Sequence, residues 1–510
     1  VRATALFSVQ ADTKRVLHEA VADVDIPPGG ECPVAFEWMP DTAGESVFRI
    51  QLVLDGNPLT EAQKTIVLIP PEGYAMRAEK ENHVGEDLAA RVTVHAGKGP
   101  VSASVFAKGR LAGSAKSDGP TVTIAARPWF GYYDIEADLG TFRYAKRIVA
   151  TVVETRGTDL LVNGEPFLIK GTNVHGMDPS SPARTAAMFR IMRGLGFNTW
   201  RGDFPARWQL ELAHELNTVY TALAPFSCIA TRNIFARQDG PPMAVSRELT
   251  RVFIERYKDS AGLLLWNSCN EIEGDSIDFL VSQYPLYKRL DPYARPVHYA
   301  NLYGQDYWQG QDVMGVNCYF SGAQTAESRH PILRRSLDIA HGAGLPLIFC
   351  EFNSFNGAVH SQGADAMRNL YAWGVEQGMA GGFQYMKENS TSHPGIIDPG
   401  FNTHALYDNA IVKAFADADV SLLAVSGDTA KARIHNRRRF TLREVVLNPV
   451  TSGQSLPPVP IPDLPPGANH DIELAMPRIH GGPARIIEGR LEFVTHFGFA
   501  ASVPVRLIVR

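Results

Sequence analysis

The feature that most constrains the fold is an alternation of short apolar runs and amphipathic helical stretches across residues 158–415. Eight runs have the length and composition of buried strands, and helical spacers separate them. The strand candidates are Phe167–Gly171, Phe197–Arg201, Thr218–Ala224, Gly262–Trp266, Pro296–Ala300, Val313–Asn317, Leu347–Cys350 and Gly382–Tyr385. Eight such units over about 250 residues predict a (β/α)8 TIM barrel. A doubly wound sheet is less favoured, because no Gly-rich phosphate turn follows any of these runs.

Local signals within this region predict individual turns and helices. Asn163-Gly164 favours a type I′ hairpin turn, because both residues tolerate positive φ. Ser181-Pro182 is a good cap and first helical position, and the helix that it opens should end near Gly194–Gly196. Two helical apolar stripes are expected to face the core, Met188, Ile191, Met192 and Leu195 in the first helix and Leu249, Val252, Phe253 and Tyr257 in a later one.

The segments on either side of this region have a different pattern of apolar and polar residues. They alternate apolar and polar residues in short runs that turn signals separate, which is typical of β-sandwiches. The expected fold class is therefore multidomain, a central (β/α)8 TIM barrel flanked by immunoglobulin-like β-sandwich domains. The predicted domains are residues 1–71, 72–156, 157–415 and 416–510.

Charge and composition exclude several kinds of partner. The formal net charge of −5 provides no electrostatic case for nucleic acid or an anionic membrane. The five cysteines are sparse and lack CxxC spacing, so buried thiols are favoured over disulfides or a zinc site. The first residue is Val1 rather than Met, so we expect that an upstream signal or domain has been removed and that the location is extracytoplasmic, secreted or periplasmic. The sequence leaves homo-oligomer formation open.

Polar residues at the carboxyl ends of the predicted strands are the candidates for chemistry, because active sites of such barrels lie there. Glu271 and Glu351 follow strongly apolar strands, the fourth and the seventh, where an unused carboxylate would be costly to bury. Two carboxylates about 5–5.5 Å apart cleave a glycosidic bond with retention, one acting as acid/base and the other as nucleophile. The other strand-end candidates are His175, Arg201, Asn270, Tyr319 and Tyr385.

The same region resembles glycoside hydrolase family 2, which includes β-galactosidases, β-glucuronidases and β-mannosidases. Several ordered motifs agree with the family pattern, and they span the whole predicted barrel, about half of the chain. The matching segments are Leu161–Phe167, Lys170–His175, Gly196–Arg201, Asp259–Glu271, Asp291-Pro292 with Arg295–Val297, and Pro346–Phe352.

The resemblance implies a role for each matching residue. Glu271 would be the acid/base, Asn270 would hydrogen-bond the sugar 2-hydroxyl, and Glu351 would attack the anomeric carbon. Tyr319 would donate to Glu351 and keep it ionised, while Arg201 would hold charge beneath the nucleophile.

The remaining strand-end histidine has two interpretations. The resemblance places His175 in the −1 subsite. Without the flanking motifs, the favoured interpretations are a core histidine for His175 and a barrel-floor ion pair for Arg201. Because His175 stands alone at the strand ends, no metal and no other cofactor is expected.

Three positions depart from the family pattern. Tyr385 stands where the family usually has Trp, and it still offers an aromatic face to a sugar. The stretch Gly202–Pro205 is one residue shorter than in the family, so that Asp203 either replaces a sugar-contacting His or caps a helix. Lys387 would bind an anionic or heavily hydroxylated sugar. The favoured alternative is a lysine whose charged end lies in solvent.

The predicted function is that of a retaining β-glycosidase, exo-acting and β-galactosidase-like in type, with an oligosaccharide or glycoside as substrate. One alternative is an endo-acting or transglycosylating enzyme on the same barrel. Another is a non-catalytic carbohydrate-binding protein with a relic barrel, which the presence of Glu271, Glu351, Asn270 and Tyr319 disfavours.

Overall fold

A computed structural model describes the chain except residues 1, 39, 69–76, 84–88, 127–128, 141, 175–180, 225–242, 272–276, 302–305, 322–324, 356–359, 386–395, 397–409, 412, 427, 439, 452–453, 476–484, 496–499 and 510. His175 and Lys387 therefore lie outside the described residues. The chain separates into two compact units, Val1–Thr151 and Val152–Arg510. The predicted domain bounds are not tested by this division and stay predictions.

The first unit is built from β-strands. Its strands are β1 (Arg2–Ala11), β2 (Val16–Asp25), β3 (Thr42–Leu54), β4 (Asn57–Leu68), β5 (Arg77–His83), β6 (Ala89–His95), β7 (Val101–Ala107), β8 (Arg110–Ser117), β9 (Thr121–Ala126), β10 (Tyr132–Asp138) and β11 (Arg143–Val149). One sheet runs in the order β2-β1-β3-β11-β10-β7-β8 with β4 beside β3, and a second has the order β5-β6-β9. Alternating residues such as Val92, Val105, Ile124 and Ile135 form a core between strands of the two sheets.

The second unit begins with a small antiparallel meander of β12 (Val153–Arg156), β13 (Asp159–Val162) and β14 (Glu165–Pro166). Val162 pairs with Glu165, so the connection between β13 and β14 is a two-residue turn. Asn163 and Gly164 have φ of 51° and 82°. The predicted hairpin with positive φ at both turn residues is therefore confirmed.

A parallel sheet forms the centre of the second unit. Its strands are β15 (Ile169–Asn173), β16 (Thr199–Asp203), β17 (Val219–Leu223), β18 (Leu263–Asn267), β19 (Val297–His298), β20 (Ala300–Asn301), β21 (Met314–Ser321), β22 (Leu347–Phe355) and β23 (Gly381–Gln384). The order is β19-β18-β17-β16-β15-β23-β22-β21-β20. Tyr299 alone separates the two end strands, so the sheet is barrel-like and nearly closed. Each of the eight predicted strands is found in this sheet.

The helices surround this sheet because its strands are buried on both faces. They are α1 (Pro182–Gly194), α2 (Arg207–Glu215), α3 (Met243–Tyr257), α4 (Ile277–Leu290), α5 (His330–Gly342) and α6 (His360–Glu376), and a 3-10 turn covers Glu327–Arg329. In β18, all five residues from Leu263 to Asn267 are buried. Between β20 and β21, the described residues 306–313 form turns rather than a helix. No helix among the described residues is long and apolar enough to cross a membrane.

Two details of the predicted helices are wrong. Pro182 does begin α1, but Ser181 makes no side-chain capping bond. In α3, Leu249 and Val252 are exposed, whereas Phe253 and Tyr257 are buried as predicted. The buried face of α3 instead includes Thr250, whose hydroxyl hydrogen-bonds the Gln283 side chain of α4 at 3.2 Å. Contact with α4 buries a different face of α3 from the one that the apolar residues mark. The apolar periodicity of α3 contains no information about that contact.

The C-terminal part of the second unit is again all-β. It contains β24 (Ala418–Ser426), β25 (Thr429–Asn436), β26 (Leu442–Thr451), β27 (Gln454–Ser455), β28 (Val459–Ile461), β29 (Asn469–Ala475), β30 (Arg485–Thr495) and β31 (Ala500–Val509). Its two sheets enclose one hydrophobic core. A buried ion cluster joins it to the central sheet, because Asp417 accepts hydrogen bonds from Lys170 of β15 and from Arg438. Burial lowers the pKa of Lys170 to about 8, although Asp417 opposes that shift.

A buried ion pair fixes the base of β18. Arg295 Nη1 lies 3.0 Å from Asp291 Oδ1, and both side chains are almost fully buried. Arg295 also donates to the carbonyl oxygens of Leu263, Lys258 and Ser260. Asp291 in turn accepts from the Trp266 indole at 2.8 Å. The pair therefore anchors the strand that leads to Glu271.

Replacing Asp291 by Asn should leave the buried Arg295 guanidinium without its counter-charge. We expect the free energy of unfolding to fall by about 3–5 kcal/mol, as for other buried pairs that lose one partner. Urea denaturation of the full chain measures this change. The control is Glu248→Gln, which breaks an exposed pair with Arg251 and should leave the midpoint unchanged. An unchanged midpoint for Asp291→Asn would contradict the anchoring role.

Candidate active site

Arg201 is the centre of the candidate site. It lies on β16 with no exposed surface. Its Nη1 donates to Glu351 Oε1 at 2.8 Å and to Asn173 Oδ1 at 2.6 Å, and its Nη2 donates to Asn270 Oδ1 at 2.6 Å. With its amide oriented so that donors meet acceptors, Asn267 accepts from Nε at 2.8 Å and from Nη2 at 3.0 Å. All five guanidinium N–H groups are thus used within the protein.

Glu351 lies on β22 and is buried at 4% exposure. One carboxylate oxygen accepts from Arg201 and the other accepts from the Tyr319 hydroxyl. Burial raises the pKa of Tyr319, and the charge of Glu351 raises it further, so the phenol stays protonated as a donor. Both oxygens of Glu351 are therefore held by donors, one charged and one neutral. The contact between Tyr319 and Glu351 agrees with the sequence expectation.

Glu271 has a different environment. It follows β18, is only partly buried, and accepts from Asn317 Nδ2 at 3.1 Å. Its φ is 50°, a left-handed conformation that is uncommon for a residue with a side chain. Such strain is concentrated at functional sites, where the surrounding structure maintains it. Its negative charge contributes to the raised pKa values of both Tyr319 and Tyr385, after burial and the charge of Glu351, so Glu271 belongs to the same cleft.

The two tyrosines form an aromatic wall beside the carboxylates. The rings of Tyr319 and Tyr385 are 6.0 Å apart and meet edge to face at 79°. The backbone N–H of Tyr385 donates to the Phe352 carbonyl, which fixes the end of β23 against β22. Tyr385 therefore lies close enough to the nucleophile candidate to contact a bound sugar.

The structure brings together six of the eight residues predicted for the site: Glu271, Glu351, Asn270, Tyr319, Arg201 and Tyr385. Asp203 lies at the exposed end of β16, two residues after Arg201. His175 lies outside the described residues, as does Lys387, so their predicted roles stay predictions. The separation of the two glutamate carboxyl groups, predicted to be about 5–5.5 Å, also stays a prediction.

Sequence reasoning missed four polar residues of the site. Asn173, Asn267 and Asn317 supply contacts to Arg201 or Glu271, and His298 is fully buried beneath them. Burial and the charge of Arg201 lower the pKa of His298 well below its usual value, so the imidazole is neutral at neutral pH. The signal was available, since Asn317 precedes Tyr319 by two residues and so lies on the same strand face.

Strand alternation predicts that Cys269, Cys318 and Cys350, each of which precedes a site residue, face the helices, and Cys350 does not. Cys269 and Cys318 do belong to the core between sheet and helices. Cys350 instead has its Sγ 3.4 Å from His298 Nδ1. The register of β21 against β22 shifts between Val316 and Asn317. Such an irregularity interrupts simple alternation, which is the physical reason for the difference. Among the described residues, no group of three His, Cys, Asp or Glu side chains is arranged to bind a metal.

The described geometry provides two unequal carboxylates. Glu351 contacts a cation and a phenol, and Glu271 contacts an amide and is more exposed. Two neighbouring carboxyl groups in different environments can take different roles in one reaction. The arrangement therefore has the parts needed for acid/base and nucleophilic chemistry on one substrate.

Comparisons with known proteins show which solved structures have a similar fold. No protein-family model and no curated protein matches the chain. A solved structure of a β-glucuronidase from Ruminococcus gnavus with uronic isofagomine aligns with a TM-score of 0.52 at 13% identity, covering 81% of this chain and 98% of that one. The β-glucuronidase of Lactobacillus rhamnosus aligns with a TM-score of 0.54 at 15% identity, covering 81% and 85%. At these identities the likeness shows a shared fold.

The strained backbone at Glu271 leads to a stability prediction. At a φ of 50°, glycine avoids the steric cost that any Cβ incurs. We therefore expect Glu271→Gly to be more stable than Glu271→Ala by about 0.5–1 kcal/mol in urea denaturation. At the control position Glu255, within α3, the order should reverse, because alanine is the better helix former. An alanine variant that is the more stable at both positions would show that residue 271 is not strained.

Proposed function

We propose that the protein is a retaining β-glycoside hydrolase of the family 2 type, exo-acting and β-galactosidase-like, on a (β/α)8 barrel. The observation that carries the proposal is the Arg201 guanidinium, which donates to both Asn270 and Glu351 and so brings the two motif strands together. The resemblance of the ordered motifs to family 2 and the shared fold with β-glucuronidases support it. The substrate class is an oligosaccharide or simple glycoside.

In the first step, Glu351 would attack the anomeric carbon while Glu271 protonates the departing oxygen. Arg201 and Tyr319 hold the Glu351 oxygens in place, so little reorganisation is needed before attack. Asn270 is oriented by Arg201 through its side-chain oxygen, which leaves the amide N–H2 group to donate to the sugar 2-hydroxyl. A contact of that kind strengthens in the transition state.

In the second step, Glu271 would act as a base and remove a proton from water, which attacks the covalent glycosyl-enzyme. The bond to Glu351 then breaks and its carboxylate returns to the contacts with Arg201 and Tyr319. Two inversions restore the β configuration of the product. Glu271 serves both steps because it has lost its proton in the first.

Two variants separate these roles. Glu271→Ala should retain activity on aryl β-glycosides with good leaving groups, because those hardly need the proton, and should lose activity on poor ones. Added azide should accelerate its second step and yield a β-glycosyl azide. Glu351→Ala should lose turnover of both substrate types, because no covalent intermediate forms, and azide should yield only the α-glycosyl azide.

The measurement is anomer analysis of the azide products by NMR. The control is Glu255→Ala, which removes a carboxylate from the outer helix α3 and should leave both activities unchanged. α-Azide from the Glu271 variant and β-azide from the Glu351 variant would reverse the assigned roles. Full activity in both variants would exclude this pair of carboxylates from the reaction. A non-catalytic sugar-binding protein would bind the glycosides without turnover in the wild type.

A further inference from the structure

Strand alternation places Asp203 on the cleft side of β16 rather than on the side of the helices. A Cβ on Gly202 would meet the Tyr220 hydroxyl and Val174, which belong to the core between sheet and helices. Successive strand residues point to opposite faces, so the residues on either side of Gly202 point inward. Arg201 does so, since it contacts Glu351 and Asn270. Asp203 is two residues after Arg201 and therefore on the same face of β16, at the exposed carboxyl end of the strand.

The backbone holds Asp203 in this position. Asp203 pairs with Leu223 of β17, so it belongs to the sheet and not to a loop. The next residue, Phe204, has a φ of 38° and an exposed ring, and its N–H donates to the Leu223 carbonyl at 3.4 Å. Tyr257 then donates to the Pro205 carbonyl at 2.7 Å. A strained residue between two such anchors indicates that the direction of this strand end is fixed.

Among the described residues, the charges that act on Tyr385 are predominantly negative. Burial raises the pKa of Tyr385, and the carboxylates of Glu351, Glu271 and Asp203 raise it further, while Arg201 opposes them. Among the described residues whose charges act on Tyr385, Arg201 is the only cation. Its N–H groups already donate to protein oxygens, so it offers nothing to a charged substrate. Asp203 is exposed at the end of β16, and an ionised carboxylate offers several acceptor positions.

We propose that Asp203 is a specificity-determining residue that makes the glycone subsite accept an uncharged sugar and reject a uronic acid. The inference rests on the proposed function and adds its substrate class. A sugar hydroxyl donates a hydrogen bond to the Asp203 carboxylate, whereas a uronate carboxylate there meets a like charge in a partly desolvated cleft. The chain would then differ in substrate from the Ruminococcus gnavus β-glucuronidase, which has been solved with D-glucuronic acid.

Two matched substrate pairs test this: the 4-nitrophenyl β-glucoside against the β-glucuronide, and the β-galactoside against the β-galacturonide. Members of a pair differ only in the oxidation of C6. In the pair that is hydrolysed faster, we expect the uncharged member to have the higher kcat/KM by about 100-fold or more. A difference of this size is expected because like charges a few ångströms apart repel each other. Preference for the uronide in that pair would overturn the inference and leave the hydrolase function intact.

Asp203→Asn tests the residue itself, since it removes the charge and keeps the size. The ratio of kcat/KM for the uncharged member over the uronide should fall at least about tenfold, with a rise in the uronide value. Glu215→Gln is the control, because it removes an exposed carboxylate at the end of α2 and should leave the ratio unchanged. An unchanged ratio in Asp203→Asn would overturn the role of Asp203.

Binding separates this inference from the proposed function. If no pair is hydrolysed, the hydrolase proposal fails, and titration calorimetry with deoxynojirimycin and its uronic acid counterpart then decides the charge preference. Tighter binding of the neutral compound, with the difference reduced in Asp203→Asn, would support the inference. Equal binding, tighter binding of the uronic form, or no binding of either compound would overturn it.

Discussion

The pairing of one buried cation determines the geometry of this site. A guanidinium without exposed surface is costly unless every N–H finds an acceptor, and the Arg201 acceptors come from three strand segments. Asn173 lies on β15, Asn267 and Asn270 lie on or just after β18, and Glu351 lies on β22. Satisfying Arg201 therefore fixes the distance between the first, fourth and seventh predicted strands. The positions of the candidate catalytic groups follow from that requirement.

The same pairing makes the two glutamates chemically different. Glu351 is adjacent to the cation and to the Tyr319 phenol, while Glu271 lies on a strained backbone and contacts the Asn317 amide. Such differences between neighbouring carboxyl groups can separate the roles of nucleophile and acid. The Arg201 guanidinium donates to protein oxygens, and the other charged groups that act on Tyr385 among the described residues are carboxylates. The proposed roles of the two glutamates and the proposed selectivity for uncharged sugars thus both depend on the pairing of Arg201.

The sequence predicts the strands well because β15–β23 are buried on both faces and read as short apolar runs. It also finds Arg201, Glu271, Glu351 and Tyr319, because strand ends and motif spacing mark them. It misses Asn267 and His298, which are buried polar residues within otherwise apolar strands. The orientation of Cys350 depends on a register shift, and the buried face of α3 depends on its contact with α4. Both are tertiary effects that periodicity within one segment does not contain.

The central claim is that Glu351 forms a covalent bond to the sugar. A 2,4-dinitrophenyl 2-deoxy-2-fluoro-β-galactoside tests it most directly, because the fluorine slows both steps and the good leaving group lets the intermediate accumulate. Mass spectrometry of the intact chain should show the addition of one fluorogalactosyl group, and peptide mapping should place it on Glu351. A label on Glu271, or inverted product with no label from the corresponding unfluorinated galactoside, would contradict the account.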